Sequence, residues 1–127
     1  VIAESESREL LDSLPPSPRV EVTADPESGQ LTLSLTGEID LANSVALSHQ
    51  VQTIIVGQLP QHVVIDVAGV EFCDSAGIRM LTDLHDRMLE AGITCCLHRP
   101  GPLFQWLLGS LGALRLVDEP GDAWRHL

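Results

Sequence analysis

From Arg19 onward the chain alternates. Val20, Val22 and Ala24 are separated by Glu21 and Thr23, and beyond the turn-forming residues Asp25 to Gly29, Leu31, Leu33 and Leu35 are separated by Thr32 and Ser34. A period of two places each apolar set on one face of a strand, so the pattern predicts two half-buried strands joined as a hairpin. Gly37-Glu38-Ile39-Asp40 ends the second strand. A helix then fits from about Leu41 to Val56, with Asp40 or Asn43 placed to cap it, Gly57 to stop it, and Leu47, Val51, Ile54 and Ile55 on its buried side. The run Val63 to Val67 is apolar except at Asp66, the pattern of a central strand covered on both faces. From about Ser75 to Ala91, Ile78, Leu81, Leu84 and Met88 recur at helical spacing, and Gly92 closes the helix. Ile93 to Leu97 is a second buried-looking strand, so strand, helix and strand form a βαβ unit with parallel pairing. A short helix over Pro102 to Leu108, a last strand over Leu114 to Val117 and the start of a helix at Asp122 to Leu127 complete the chain. The pattern describes one α/β domain over residues 19–127, with a mixed sheet of about five strands and helices packed on it. Residues 1–18 read as a flexible acidic leader, serine-bearing and closed by PPSP, in which Leu10, Leu11 and Leu14 give a short helix over Glu4 to Leu14 only a weak apolar face.

Composition narrows what such a domain does. At 127 residues and 44% hydrophobic, the chain can bury one core without staples or metals. Its formal net charge is −11, and all seven positive residues are arginine. Binding a phosphate backbone needs a basic surface, so nucleic acid is disfavoured as a partner, and the same charge repels anionic membranes. No apolar run approaches the roughly 20 residues of a membrane helix, and VIAESESREL lacks the blocks of a signal peptide. Three cysteines, two of them adjacent, make a poor disulfide framework and fit a reducing compartment, so the cytoplasm is the expected location. The opening at Val1 and the Pro-containing leader also fit a domain cut from a longer chain. His49, His62, His85, His98 and His126 show neither i, i+4 pairing nor cysteines at zinc-like spacing, so no metal site and no cofactor are expected.

The chemistry concentrates in VVIDVAGVEFCDSAGIRML, Val63 to Leu81, where an apolar run, an acidic loop, a serine and a glycine lead into the second helix. The plainest reading of Asp74-Ser75 is capping, because both side-chain types satisfy free amides of a first helical turn. A nucleophilic serine in a G-x-S-x-G elbow is half matched, since Cys73 stands at the first glycine position. A receiver-type phospho-acceptor at Asp66 would need a lysine nearby, and the chain has none. The remaining reading is that a partner phosphorylates Ser75. There the phosphate would meet backbone N–H groups and the positive end of the helix dipole, so the fold would tolerate about −1.5 to −2 of added charge while the surface changed.

Gly37-Glu38-Ile39-Asp40 before a helix, then Val64-Ile65-Asp66-Val67 leading into Val70-Glu71-Phe72-Cys73-Asp74-Ser75-Ala76-Gly77-Ile78, resembles the STAS domain, specifically the bacterial anti-sigma factor antagonists. The resemblance covers about Val20 to Val117. It implies that the unphosphorylated chain binds an anti-sigma factor that is also a serine kinase and so frees a sigma factor. Phosphorylation of Ser75 then ends the encounter, a phosphatase resets it, and Mg²⁺, ATP and the catalytic base all belong to the kinase. Asp74 and Gly77 would shape the switch loop, and Asp40 would lie at the same end near the docking surface. Ala76 departs from the family pattern, where a second Ser or Thr is common. The chain would then be a substrate and ligand, not an enzyme. The alternative is a STAS scaffold or sensor module of a larger assembly, with Ser75 only capping its helix.

Two features stand outside that motif. Cys73 beside the loop invites a redox role, although a small buried hydrophobe is the simpler reading; Cys95 and Cys96 point to opposite faces of a strand and suit core filling. Phe104 and Trp106 lie on a helix with no charge from Pro102 to Leu111, too apolar all round for water. Packing on the sheet is one expectation for it, and a weak homodimer or partner contact is the other.

Overall fold

The computed structural model describes residues 18–117. The hairpin appears as β1 (Arg19–Asp25) and β2 (Gln30–Ile39), paired antiparallel with Val22 opposite Leu33. Its turn is held by Asp25, whose carboxylate accepts from Glu27 N at 3.0 Å and from Ser28 Oγ at 2.8 Å. Along β2 burial alternates without a break, with Leu31, Leu33, Leu35, Gly37 and Ile39 buried and the residues between them half-buried.

Helix α1 (Ser44–Gln58) carries the chain to β3 (His62–Cys73), which pairs with β2 in parallel; α2 (Ser75–Glu90) carries it to β4 (Thr94–His98), parallel to β3. The sheet order is β1-β2-β3-β4. One core cluster joins β2 and β3 to Leu47, Val51 and Ile55 of α1 and to Ile78, Met80, Leu81, Leu84 and Met88 of α2. The same cluster takes in Phe104 and Leu108 of α3 (Pro102–Ser110), the short helix expected from Pro102. Burial of these apolar side chains is the main favourable term in folding such a domain.

The sequence pattern departs from the structure in instructive places. Helix α1 begins at Ser44, and Asn43 occupies its N-cap without a forward side-chain cap. Instead Asn43 Oδ1 accepts from Asp40 N at 3.0 Å, Asp40 Oδ1 accepts from Asn43 N at 3.1 Å, and Asn43 Nδ2 donates to the Glu38 carbonyl at 3.0 Å. Gly57 lies inside the helix, and Leu59 terminates it in the left-handed region, φ 48°. Strand β3 runs six residues past Val67 to Cys73, its second half largely exposed and its register against β2 shifted twice, after Ser34 and after Gly37. The stretch Leu114–Leu116 forms a 3-10 turn, and a single bridge from Leu97 to Val117 is all that represents the expected fifth strand. The helices expected over Glu4 to Leu14 and Asp122 to Leu127, and the acidic leader apart from Pro18, lie outside the described residues.

Candidate functional site

Parallel pairing brings the C-terminal ends of β2 and β3 side by side, with Ile39 opposite Cys73. In open α/β sheets such carboxyl ends are where ligands and partners gather. Two loops leave this edge, Asp40 to Asn43 into α1 and Asp74 into α2, and they are bonded to each other. The N–H of Asp74 donates to the Ile39 carbonyl at 3.2 Å, and Asp74 Oδ2 accepts from the N–H of Leu41 at 3.1 Å.

Asp74 is also the N-cap of α2. Its extended backbone, φ −96° and ψ −175°, lets Oδ1 accept from Gly77 N at 3.0 Å, the N3 amide that a cap ordinarily satisfies. Capping therefore belongs to Asp74, and Ser75 is the first helical residue. Its side chain is exposed and its hydroxyl makes no hydrogen bond to any described residue. The expectation that Ser75 caps the helix is corrected on this point: Asp74 already fills that position.

Gly77 is buried for a reason of space, not of loop conformation. A Cβ there would stand 2.5 Å from Cys73 Sγ, closer than real Cβ contacts allow, and 3.0 Å from Ile39 Cγ2, tighter than most of them. The missing side chain lets the first turn of α2 lie against the ends of both strands. Ala76 is half-buried and lines a groove of about 310 Å³ between α1 and α2, with Leu41, Val45, His49, Arg79 and Asp83 around it. Leu41 and Val45 are 76% and 67% exposed, so two apolar side chains stand out on a groove that also carries polar and charged residues. The structure thus brings Asp40, Asp74, Ser75, Ala76 and Gly77 to one end of the domain.

Leu41 and Arg79 join the site without having been singled out in the sequence. Leu41 enters through its backbone N–H, which no residue-type signal reveals. Arg79 lies one helical turn beyond Ser75, a spacing that was readable, and its guanidinium has neither a hydrogen bond nor an ion pair to any described residue.

The thiol of Cys73 beside the loop is pushed up to about 12, first by burial and then by the charge of Asp74. A thiol so protonated is a poor nucleophile, which favours the packing reading over a redox one. Cys95, buried in β4, is likewise pushed up to about 12 by burial and by Cys96, and none of the three cysteines is in a disulfide. Among the described residues no group of three or more His, Cys, Asp or Glu is placed to hold a metal ion, and no helix is long and apolar enough to cross a membrane.

Asp66, the one polar residue in the buried half of β3, is held by Arg99 and by Ala68 N at 3.0 Å. Burial alone would raise its carboxyl, but the Arg99 guanidinium and the Ala68 N–H outweigh burial and hold it below its usual value. It is a structural anchor between β3 and the loop after β4. On α3, Phe104 is buried while Leu103 and Trp106 are 76% and 66% exposed, flanking a groove of about 350 Å³ against Val70 and Phe72 of β3. The helix therefore does pack on the sheet, with part of its apolar surface left outside.

Comparison with known proteins places this geometry in a group. The family model described as STAS domain matches residues 18–120. The anti-sigma-F factor antagonist RsfB of Mycobacterium tuberculosis is 32% identical over 69 residues, which are 54% of this chain and 56% of the relative; the match thus spans little more than half of that protein. Among solved structures, an anti-sigma factor antagonist from Mycobacterium paratuberculosis superimposes with a TM-score of 0.70 at 24% identity, covering 90% of this chain and 97% of that one. The Bacillus cell fate determinant SpoIIAA in its phosphorylated form gives 0.60 at 13% identity, covering 85% and 96%. At these identities the structural likeness shows a shared fold.

Proposed function

Because the chain belongs to the STAS domain family, we propose that it acts as an anti-sigma factor antagonist switched by phosphorylation of Ser75. In the unmodified state the rim of Leu41, Val45 and Ala76 docks an anti-sigma factor that is also a serine kinase, which releases its sigma factor. The kinase then modifies Ser75, and a phosphatase restores the hydroxyl.

The observation that carries this reading is the division of labour between Asp74 and Ser75. Asp74 satisfies the cap, so the neighbouring hydroxyl is exposed and unengaged at the first position of α2, open to in-line attack on a nucleotide's terminal phosphate. All the catalytic groups for that step come from the kinase, so the chain itself is a substrate and a ligand. The added charge sits beside Asp74 on a chain already at −11, and repulsion of the docked kinase follows. Relatives named as antagonists of anti-sigma factors support the same reading.

Retention of partners by immobilised wild-type and Ser75→Glu chains, followed by incubation of the retained kinase with wild-type chain and ATP, tests it. One phosphate mapped to Ser75, and weaker retention by Ser75→Glu, are expected. A phosphate mapped elsewhere, or equal retention by both baits, would overturn it.

A further inference from the structure

Any helix that opens with a serine offers a phosphate its free first-turn amides; what this chain adds is an arginine four residues on. Ser75 and Arg79 are both exposed on α2 at i and i+4, where Cβ atoms lie about 5–6 Å apart on one face. Helical side chains lean toward the N-terminus, so this spacing puts Ser75 within reach of Arg79, and an anion placed N-terminal to a cation at this spacing is the favourable order.

Among the described residues the guanidinium is also uncommitted. Arg99 is taken by Asp66, Arg115 by Asp86, and Arg87 donates to Gln52 at 3.4 Å, whereas Arg79 bonds to no described residue. Asp83, one turn further on and within reach by spacing, forms no ion pair with it. The other charged or titratable groups around the spot are Asp74 ahead of Ser75, Asp40 at the end of β2, and His49 and Arg87 along the groove.

We propose that Arg79 is the built-in counter-ion for a phosphate on Ser75, an inference that rests on Ser75 being the phosphorylated residue. A guanidinium binds phosphate oxygens through two parallel N–H···O bonds, a geometry that neither Lys nor a lone amide reproduces. Phosphorylation then changes the docking surface twice. It adds negative charge at Ser75, and it withdraws from the α1–α2 groove the cation that the unmodified surface presents to a partner.

The test is a ³¹P NMR pH titration of the chain with phosphoserine installed genetically at position 75, so that the answer does not depend on any kinase. An adjacent cation favours the dianion, so the second phosphate ionisation, near 6 when unperturbed, is expected lower in the wild type. It should rise by about 0.3 units in Arg79→Gln, the size of an exposed i, i+4 pair, rise by less in Arg79→Lys, where the charge stays but the paired N–H donors are lost, and not move in Arg87→Gln. Equal values in wild type and Arg79→Gln, or an equal rise in Arg87→Gln, would overturn the inference. If instead the cognate kinase modifies a residue other than Ser75, the functional reading fails while this measurement still reports on the pair.

Discussion

Asp74 Oδ2 accepts a hydrogen bond from the backbone N–H of Leu41 at 3.1 Å, a contact across 33 residues of chain. The other oxygen of the same carboxylate caps α2. One side chain thus fixes the start of a helix and ties together the two loops at the ends of β2 and β3.

Replacing Asp74 by alanine removes both bonds. A lost cap costs about 0.5–2 kcal/mol, so urea unfolding of Asp74→Ala should give a loss of about 1–2 kcal/mol, with faster amide exchange at Leu41 and Gly77. Protection unchanged at Leu41 would show that the loops are held by other means.

Ser75→Ala should behave differently. The residue is exposed and its hydroxyl bonds to no described residue, and surface changes of that kind usually fall within about 0.5 kcal/mol. The variant is expected to melt with the wild type and to take no phosphate from the kinase. A marked fall in stability would mean that the hydroxyl shares in the cap.

Gly77→Ala sets two effects against each other. Alanine gains about 1 kcal/mol in helix propensity, but its Cβ would stand 2.5 Å from Cys73 Sγ and 3.0 Å from Ile39 Cγ2. Overpacking of this sort costs about 1–3 kcal/mol, so net destabilisation by calorimetry is expected, with part recovered in Gly77→Ala/Cys73→Ala, where the sulfur is gone. Absence of any recovery would place the clash at Ile39.

The Asp66 carboxyl has a folded value below its unfolded one, held there by Arg99 and Ala68 N against the effect of burial. Its contribution is therefore complete above the unfolded carboxylate value, about 3.9, and disappears as pH falls through the depressed folded value. At pH 7, Arg99→Ala should lower the stability measured by urea unfolding, because it leaves the largely buried Asp66 carboxylate without its guanidinium. The gap to wild type should begin to narrow below about pH 4 and close as pH falls through the depressed folded value. A gap that did not narrow at all on acidification would assign the loss to packing of the arginine stem instead.

Much of this architecture was legible because it repeats locally. The alternation of Leu31, Leu33 and Leu35 fixes β2 and its face, and Ile78, Leu81, Leu84 and Met88 fix the buried side of α2. The second half of β3 was not legible, because Ala68 to Phe72 is held by shifted pairing with β2 and carries no buried period. Leu114 to Val117 looked strand-like from its apolar residues, yet only Val117 reaches a strand and the rest closes a turn after α3. At the site, the resemblance carried by the motifs around positions 40 and 74–77 implied a switch loop, but which of Asp74 and Ser75 caps the helix depends on backbone angles that residue identity leaves open. The Asp66 to Arg99 pair and the Asp74 to Leu41 bond each join residues 33 apart, and no periodicity announces them.

Parallel strands cannot meet through a tight turn; a whole helix must intervene. The ends of β2 and β3 therefore come together only after α1 has emerged and folded back, and contacts of such sequence separation are slow to form. During synthesis the N-terminal hairpin is made first, and Leu41 waits for Asp74 to leave the ribosome. A nascent chain in which Ser75 is already out but α2 is not yet wound carries the serine without the face that surrounds it. The edge that Leu41 and Asp74 share consequently exists only once the second helix has been made and wound, well after the hairpin is complete.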